Sequence, residues 1–90
     1  MLNSLLSMMR RHDAPHLDPI IRWQFERGDR HLTCIVSAAP STFEVATVPL
    51  WDVRQAAVET FDSPAAALRR HAAIAAGLRE AGWTLAAYTA

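Results

Sequence analysis

In a chain of 90 residues, 51% of them hydrophobic, one small folded domain is expected and the composition disfavours intrinsic disorder. Nine basic residues, all arginine, balance nine acidic ones, which disfavours a dominant electrostatic grip on nucleic acid or on an anionic membrane. The single cysteine, Cys34, excludes an intramolecular disulfide, and no run reaches the roughly 20 apolar residues that span a bilayer.

The first expected element is a short amphipathic helix at 2–13. Leu2, Leu5, Leu6 and Met9 fall at i, i+3, i+4 and i+7, Asn3 suits an N-cap, and Pro15 forces an end near Asp13 or Ala14. Its arginines follow the apolar run, the reverse of a signal peptide, so a cytoplasmic location is expected. This helix and a proline-containing linker make up 1–19, and a small α+β domain occupies 20–90. Within that domain, Ile21, Trp23 and Phe25 alternate with Arg22, Gln24 and Glu26, as in a strand with one buried face. Gly28–Asp29 reads as a two-residue hairpin turn. A second strand, Arg30 to about Ala38, puts Leu32, Cys34 and Val36 on one side and His31, Thr33, Ile35 and Ser37 on the other. Ala39–Pro40–Ser41 breaks the run, Thr42–Val48 is a third strand, and Pro49–Asp52 turns the chain.

Segment Val53–Phe61 has two readings. Its alanines and Gln55 suit a helix capped by Asp52, whereas Val58–Phe61 has strand chemistry and would complete a four-stranded antiparallel meander. A long helix follows, with Ser63 at N-cap, Pro64 at N1, Arg79 near the negative end of the dipole and Gly82 at C′. Ala67, Leu68, His71, Ile74, Ala75 and Leu78 share its broad apolar face. Ala66, Ala72, Ala73 and Ala76 make a second, small-residue surface. The chain then runs through Trp83–Tyr88 as a short strand or an extended tail. The expected architecture is a short helix, a four-stranded antiparallel meander and a long helix packed on one sheet face.

Trp23–Gln24–Phe25–Glu26–Arg27–Gly28, then Phe61–Asp62, then Ala67–Leu68–Arg69–Arg70–His71, then Leu78–Arg79–Glu80–Ala81–Gly82–Trp83 form a pattern over about residues 20–85. This W-x-F-x-R-G, F-D, A-L-x-x-H, L-x-x-x-G-W layout resembles small uncharacterised bacterial proteins. That resemblance implies the fold and no activity. At the level of element order the chain also looks like Whirly and Pur-type single-strand binders and, more loosely, the WGR domain; a shared fold does not carry function across.

Few residues have the spacing of a chemical site. His12, His16 and Asp18 are of metal-ligand type, but Pro15 spoils the helical geometry that would converge the two histidines, and no metal site is expected. His31 and Cys34 lie three apart on a strand and so face opposite ways. The three glycines are isolated, with no phosphate-cradling loop, and no cofactor is expected. His71, set among Leu68, Ile74, Ala75 and Leu78, is expected to be a packed histidine, with a pocket or partner contact as the alternative. These features favour a non-enzymatic protein-interaction or assembly module, as a homodimer or with another protein. Its contacts would come from Leu2, Leu5, Leu6 and Met9 and from His71, Ala72 and Ala76. The alternatives are a single-stranded nucleic-acid binder using Arg22, Gln24 and His31 on an open sheet face, and a small-molecule binder with a pocket near His71.

Overall fold

The structure, a computed structural model, describes residues 18–89. The helix expected at 2–13, with Leu2, Leu5, Leu6 and Met9, and the linker histidines His12 and His16 lie outside the described residues. Five strands and one α-helix follow in the order β1 (Asp18–Arg27), β2 (Arg30–Ala38), β3 (Phe43–Pro49), β4 (Ala57–Phe61), α1 (Pro64–Glu80) and β5 (Thr84–Thr89). The chain is α+β, as its pattern indicates, but the sheet has five strands rather than four, in the order β4-β3-β2-β1-β5. All neighbouring strands are antiparallel. The first four strands form the expected meander. α1 then carries the chain back across the sheet and β5 pairs with β1, so Thr84–Thr89 is a strand at the sheet edge among the described residues.

Turn chemistry sets the hairpin register. Gly28 adopts φ +62°, and no non-glycine residue among the described ones has a positive φ, so Gly28–Asp29 forms the II′ turn whose twist matches the flanking strands. Arg27 and Arg30 therefore face each other across the hairpin, and Phe25↔Leu32, Trp23↔Cys34 and Ile21↔Val36 follow in register. β1 starts at Asp18, two residues earlier than expected, and its pairing with β2 slips at Ile20. The β1–β5 pairing slips at Ala86, between Gln24↔Ala87 and Phe25↔Leu85.

The ambiguous 53–61 segment divides between its two readings. Asp52 does cap a helix, but only the single 3-10 turn Val53–Gln55, its side chain accepting from the Arg54 N–H. From Ala57 the β-branched residues take over and pair with β3. α1 ends where its signals say. Ser63 Oγ accepts from the Ala66 N–H at 3.2 Å, and Pro64 occupies N1. At the other end Gly82 takes φ +92°; its N–H donates to the Arg79 carbonyl, and the Trp83 N–H donates to the Leu78 carbonyl. Those two bonds are the Schellman motif. At 17 residues the helix is of ordinary length, not long.

α1 packs over β2, β3 and β4. Its buried stripe is narrow: Ala67, His71 and Ala75, at i, i+4 and i+8, with Ile74 and Leu78 half-buried. Leu68, expected on this face, is exposed instead. Small residues at the centre of the contact let the helix settle closely on Phe25, Leu32, Cys34, Val36 and Val45, which form the main core together with Trp83. On the opposite sheet face a smaller cluster of Ile35, Ala46 and Val48 is covered by Leu50, Val53 and Ala56 from the β3–β4 connection. That face is therefore not simply open.

Candidate functional site

Three tryptophans, three phenylalanines and one tyrosine are present, and all seven sit on the helix side of the sheet. Alternation explains part of this: Trp23 and Phe25 share one face of β1, and Phe43 and Phe61 pair across β3 and β4. On the β1–β5 half of the face Phe25 is fully buried, Trp23 half-buried and Tyr88 exposed. Two groupings result.

The first is built on Trp23. His71 meets its ring edge-on, with centroids 4.8 Å apart at 82°, and Tyr88, its cross-strand partner on β5, lies 6.3 Å away at 61°. The Arg79 guanidinium stands over the same indole at 5.8 Å. His71 is only 4% exposed, and its Nε2 has no hydrogen-bond partner. Burial lowers its pKa below the usual histidine value, so the ring is held neutral. The histidine is packed, as the sequence suggests, with Trp23 as its aromatic neighbour, but the hydrogen bond expected to hold it is missing at Nε2.

The second grouping lies at the hairpin end. Trp83 and Trp51 stack with centroids 5.7 Å apart and planes within 16°. The Arg27 guanidinium lies 5.0 Å from the Trp83 ring centre, and that of Arg30 lies 4.9 Å from the Trp51 ring centre. Each residue has a local cause. Arg27 and Arg30 are the last register pair of the hairpin. The Leu50 N–H donates to the His31 carbonyl, extending the β2–β3 ladder one step and bringing Trp51 beside Arg30. Gly82 turns Trp83 under the helix end, where it is 8% exposed. Arg27 Nη1 donates to the Ala81 carbonyl at 2.8 Å, satisfying an end-of-helix acceptor.

The other sequence candidates do not converge with these. Arg22 is exposed, Gln24 is half-buried, and His31 Nδ1 stands 4.0 Å from Glu26 Oε2, too far for a hydrogen bond. All three are on the opposite face, where no aromatic residue is present among the described residues. Cys34 is buried in the main core beside Thr47, its register partner. Burial pushes its thiol up to about 11, against a smaller downward pull from the Thr47 hydrogen bond. Asp18 begins β1, and no group of three metal-ligand side chains forms among the described residues. Ala72 and Ala76 are exposed on α1. Glu59 on β4 takes a two-oxygen contact from Arg70 Nε at 3.0 and 2.9 Å, tying helix to sheet edge.

Sequence reasoning passed over the hairpin-end group because Trp51 and Arg30 belong to different turns. The available signal was the pairing itself. A two-residue turn at 28–29 forces Arg27 opposite Arg30, and a tryptophan follows each of the turns at Pro49 and Gly82. No protein-family model, curated protein or solved structure matches the chain. No helix among the described residues is long and apolar enough to cross a membrane.

Proposed function

We propose that this protein is a non-enzymatic assembly module whose edge strand β5 pairs with the β5 of a second copy. The observation that carries the reading is the composition of that edge. Thr84–Leu85–Ala86–Ala87–Tyr88–Thr89 contains neither charge nor proline, and Tyr88 is 67% exposed. An edge strand offers a row of unpaired N–H and C=O groups, which proteins usually blunt with charges or proline. In a two-fold antiparallel pairing a strand meets itself, so any central charge would face its twin. β5 has none to face. The opposite edge differs: β4 carries Glu59, held by Arg70.

The absence of catalytic activity in this reading rests on chemistry. A thiol near 11 is a poor nucleophile at neutral pH, and a neutral histidine packed edge-on to Trp23 is kept from solvent. Sedimentation of the full chain across the micromolar range tests assembly. The wild-type chain is expected to dimerise, and Tyr88→Lys and Ala87→Lys, which place charge on either side of the edge, are expected to be folded monomers. A wild-type chain that stays monomeric while fully folded would refute it.

A further inference from the structure

We propose that Arg30 and Trp51, supported on the Arg27–Trp83 pair, form a binding site for a nucleotide, free or within a single strand. The argument starts from what each member does for the fold. Arg27 and Trp83 are accounted for: one satisfies the Ala81 carbonyl and the other is core, 8% exposed. Arg30 has no such role, and Trp51 serves the fold only as the cover on one face of Trp83. Arg30 is exposed, and among the described residues no carboxylate lies within 4.0 Å of it. Trp51 is 40% exposed, although its neighbour in the stack is almost fully buried.

Placing two arginines directly opposite on a hairpin is unfavourable in itself. Here each guanidinium rests on an indole and, among the described residues, neither has a carboxylate within 4.0 Å, so the positive charge at this corner is oriented and not ion-paired there. An anion is the complement to that charge. The planar surfaces narrow the choice further, because bases stack on aromatic rings and on guanidinium planes, and phosphates pair with arginine. A group that offers both a flat ring and a phosphate fits better than phosphate alone. The overall neutrality of the chain is consistent with one local contact and not with a charged surface that tracks a long polymer. The site is also on the opposite side of the sheet from Arg22, Gln24 and His31, so the two locations are separable by mutation.

Tryptophan fluorescence of the full chain, titrated at low salt with adenosine monophosphate, a single-stranded oligothymidylate and inorganic pyrophosphate, is the test. Saturable quenching by a nucleotide or the oligomer is expected, with Arg30→Gln and Trp51→Leu each weakening it about tenfold or more and Arg22→Ala leaving it unchanged. Arg30→Gln changes a surface side chain, so it keeps the test usable if Trp51→Leu unfolds. Equal binding of monophosphate and oligomer assigns a free nucleotide, and preference for the oligomer assigns a strand; both uphold the site. Pyrophosphate binding as tight as the nucleotides would overturn the stacking role. Loss of binding in Arg22→Ala, or no binding of any of the three up to about 1 mM, would overturn the site altogether. Arg30→Gln and Trp51→Leu leave β5 unchanged, and Ala87→Lys leaves Arg30 and Trp51 unchanged, so this proposal and the assembly proposal fail separately.

Discussion

Two glycine-to-alanine substitutions five residues apart are expected to move stability in opposite directions. Gly82 has φ +92°, which an L-residue adopts at a cost of about 1–2 kcal/mol. Space is not the obstacle, because a Cβ there would meet the Arg27 Cδ at 3.6 Å, an ordinary contact. The penalty for Gly82→Ala is therefore conformational, about 1–2 kcal/mol, with added loss if the Schellman bonds loosen. Gly77 is inside α1, exposed, and a Cβ there would have nothing within 4 Å. Gly77→Ala removes only the entropic cost of glycine in a helix and should stabilise by about 0.5–1 kcal/mol. In a domain of this size each kcal/mol moves Tm by about 4–8 °C, so the two variants should separate by about 6–24 °C in a thermal melt followed by circular dichroism. Gly82→Ala should also perturb tryptophan fluorescence, because residue 82 sets the entry of Trp83 into its stack with Trp51. Equal shifts of the same sign would refute the assignment of Gly82 to a left-handed helix stop.

Other expectations follow from the buried groups. His71 has its pKa lowered in the fold, so the unfolded chain takes up the proton more readily. Stability is then full above about pH 6.5 and declines as pH falls below it. Urea midpoints measured through that window should show the decline in the wild type and a flatter profile in His71→Leu; identical profiles would remove His71 as the cause. Phe25 is fully buried in the main core, and Phe25→Ala should cost about 3–5 kcal/mol, read as a fall in denaturant midpoint; a loss below about 1 kcal/mol would contradict its place there. Ser63→Ala removes the N-cap bond to Ala66 and should cost about 1 kcal/mol in the same assay, against no change if the cap is idle. Cys34 should react with a thiol reagent at pH 8 far more slowly than in the unfolded chain; comparable rates would contradict both its burial and its raised pKa.

The parts of the fold that local chemistry controls were legible. Alternation located β1, β2 and β3, the Gly28–Asp29 turn set the register of β1 on β2, and Ser63, Pro64 and Gly82 bounded α1 to within a residue. What escaped depended on distant partners. Thr84–Thr89 has weak strand character alone and becomes a strand because β1 has a free edge. Val53–Phe61 carries both helix and strand signals, and the pull of β3 on Ala57–Phe61 settles the division. Leu68 obeys helical periodicity, yet the sheet accommodates a stripe only as wide as Ala67, His71 and Ala75. Of the candidate residues, His71 was legible as a packed side chain from its apolar neighbours. The stack of Trp51, Trp83, Arg27 and Arg30 gathers three separate turns, and no window of local sequence contains it.

The pairing of β5 with β1 joins residues about 60 positions apart, such as Arg22 with Thr89 and Glu26 with Thr84. Closing a loop of that length costs about 3 kcal/mol more in chain entropy than closing a two-residue hairpin. β1, β2 and β3 can assemble through short connections, whereas β5 must wait for α1 to cross the sheet. Within one copy, the strand that docks at the greatest entropic cost, on one ladder only, should also detach most readily. In a chain held monomeric by Ala87→Lys, amide exchange should therefore rank the β1–β2 ladder as the most protected backbone and β5 as the least, with transient opening that leaves the rest of the sheet intact.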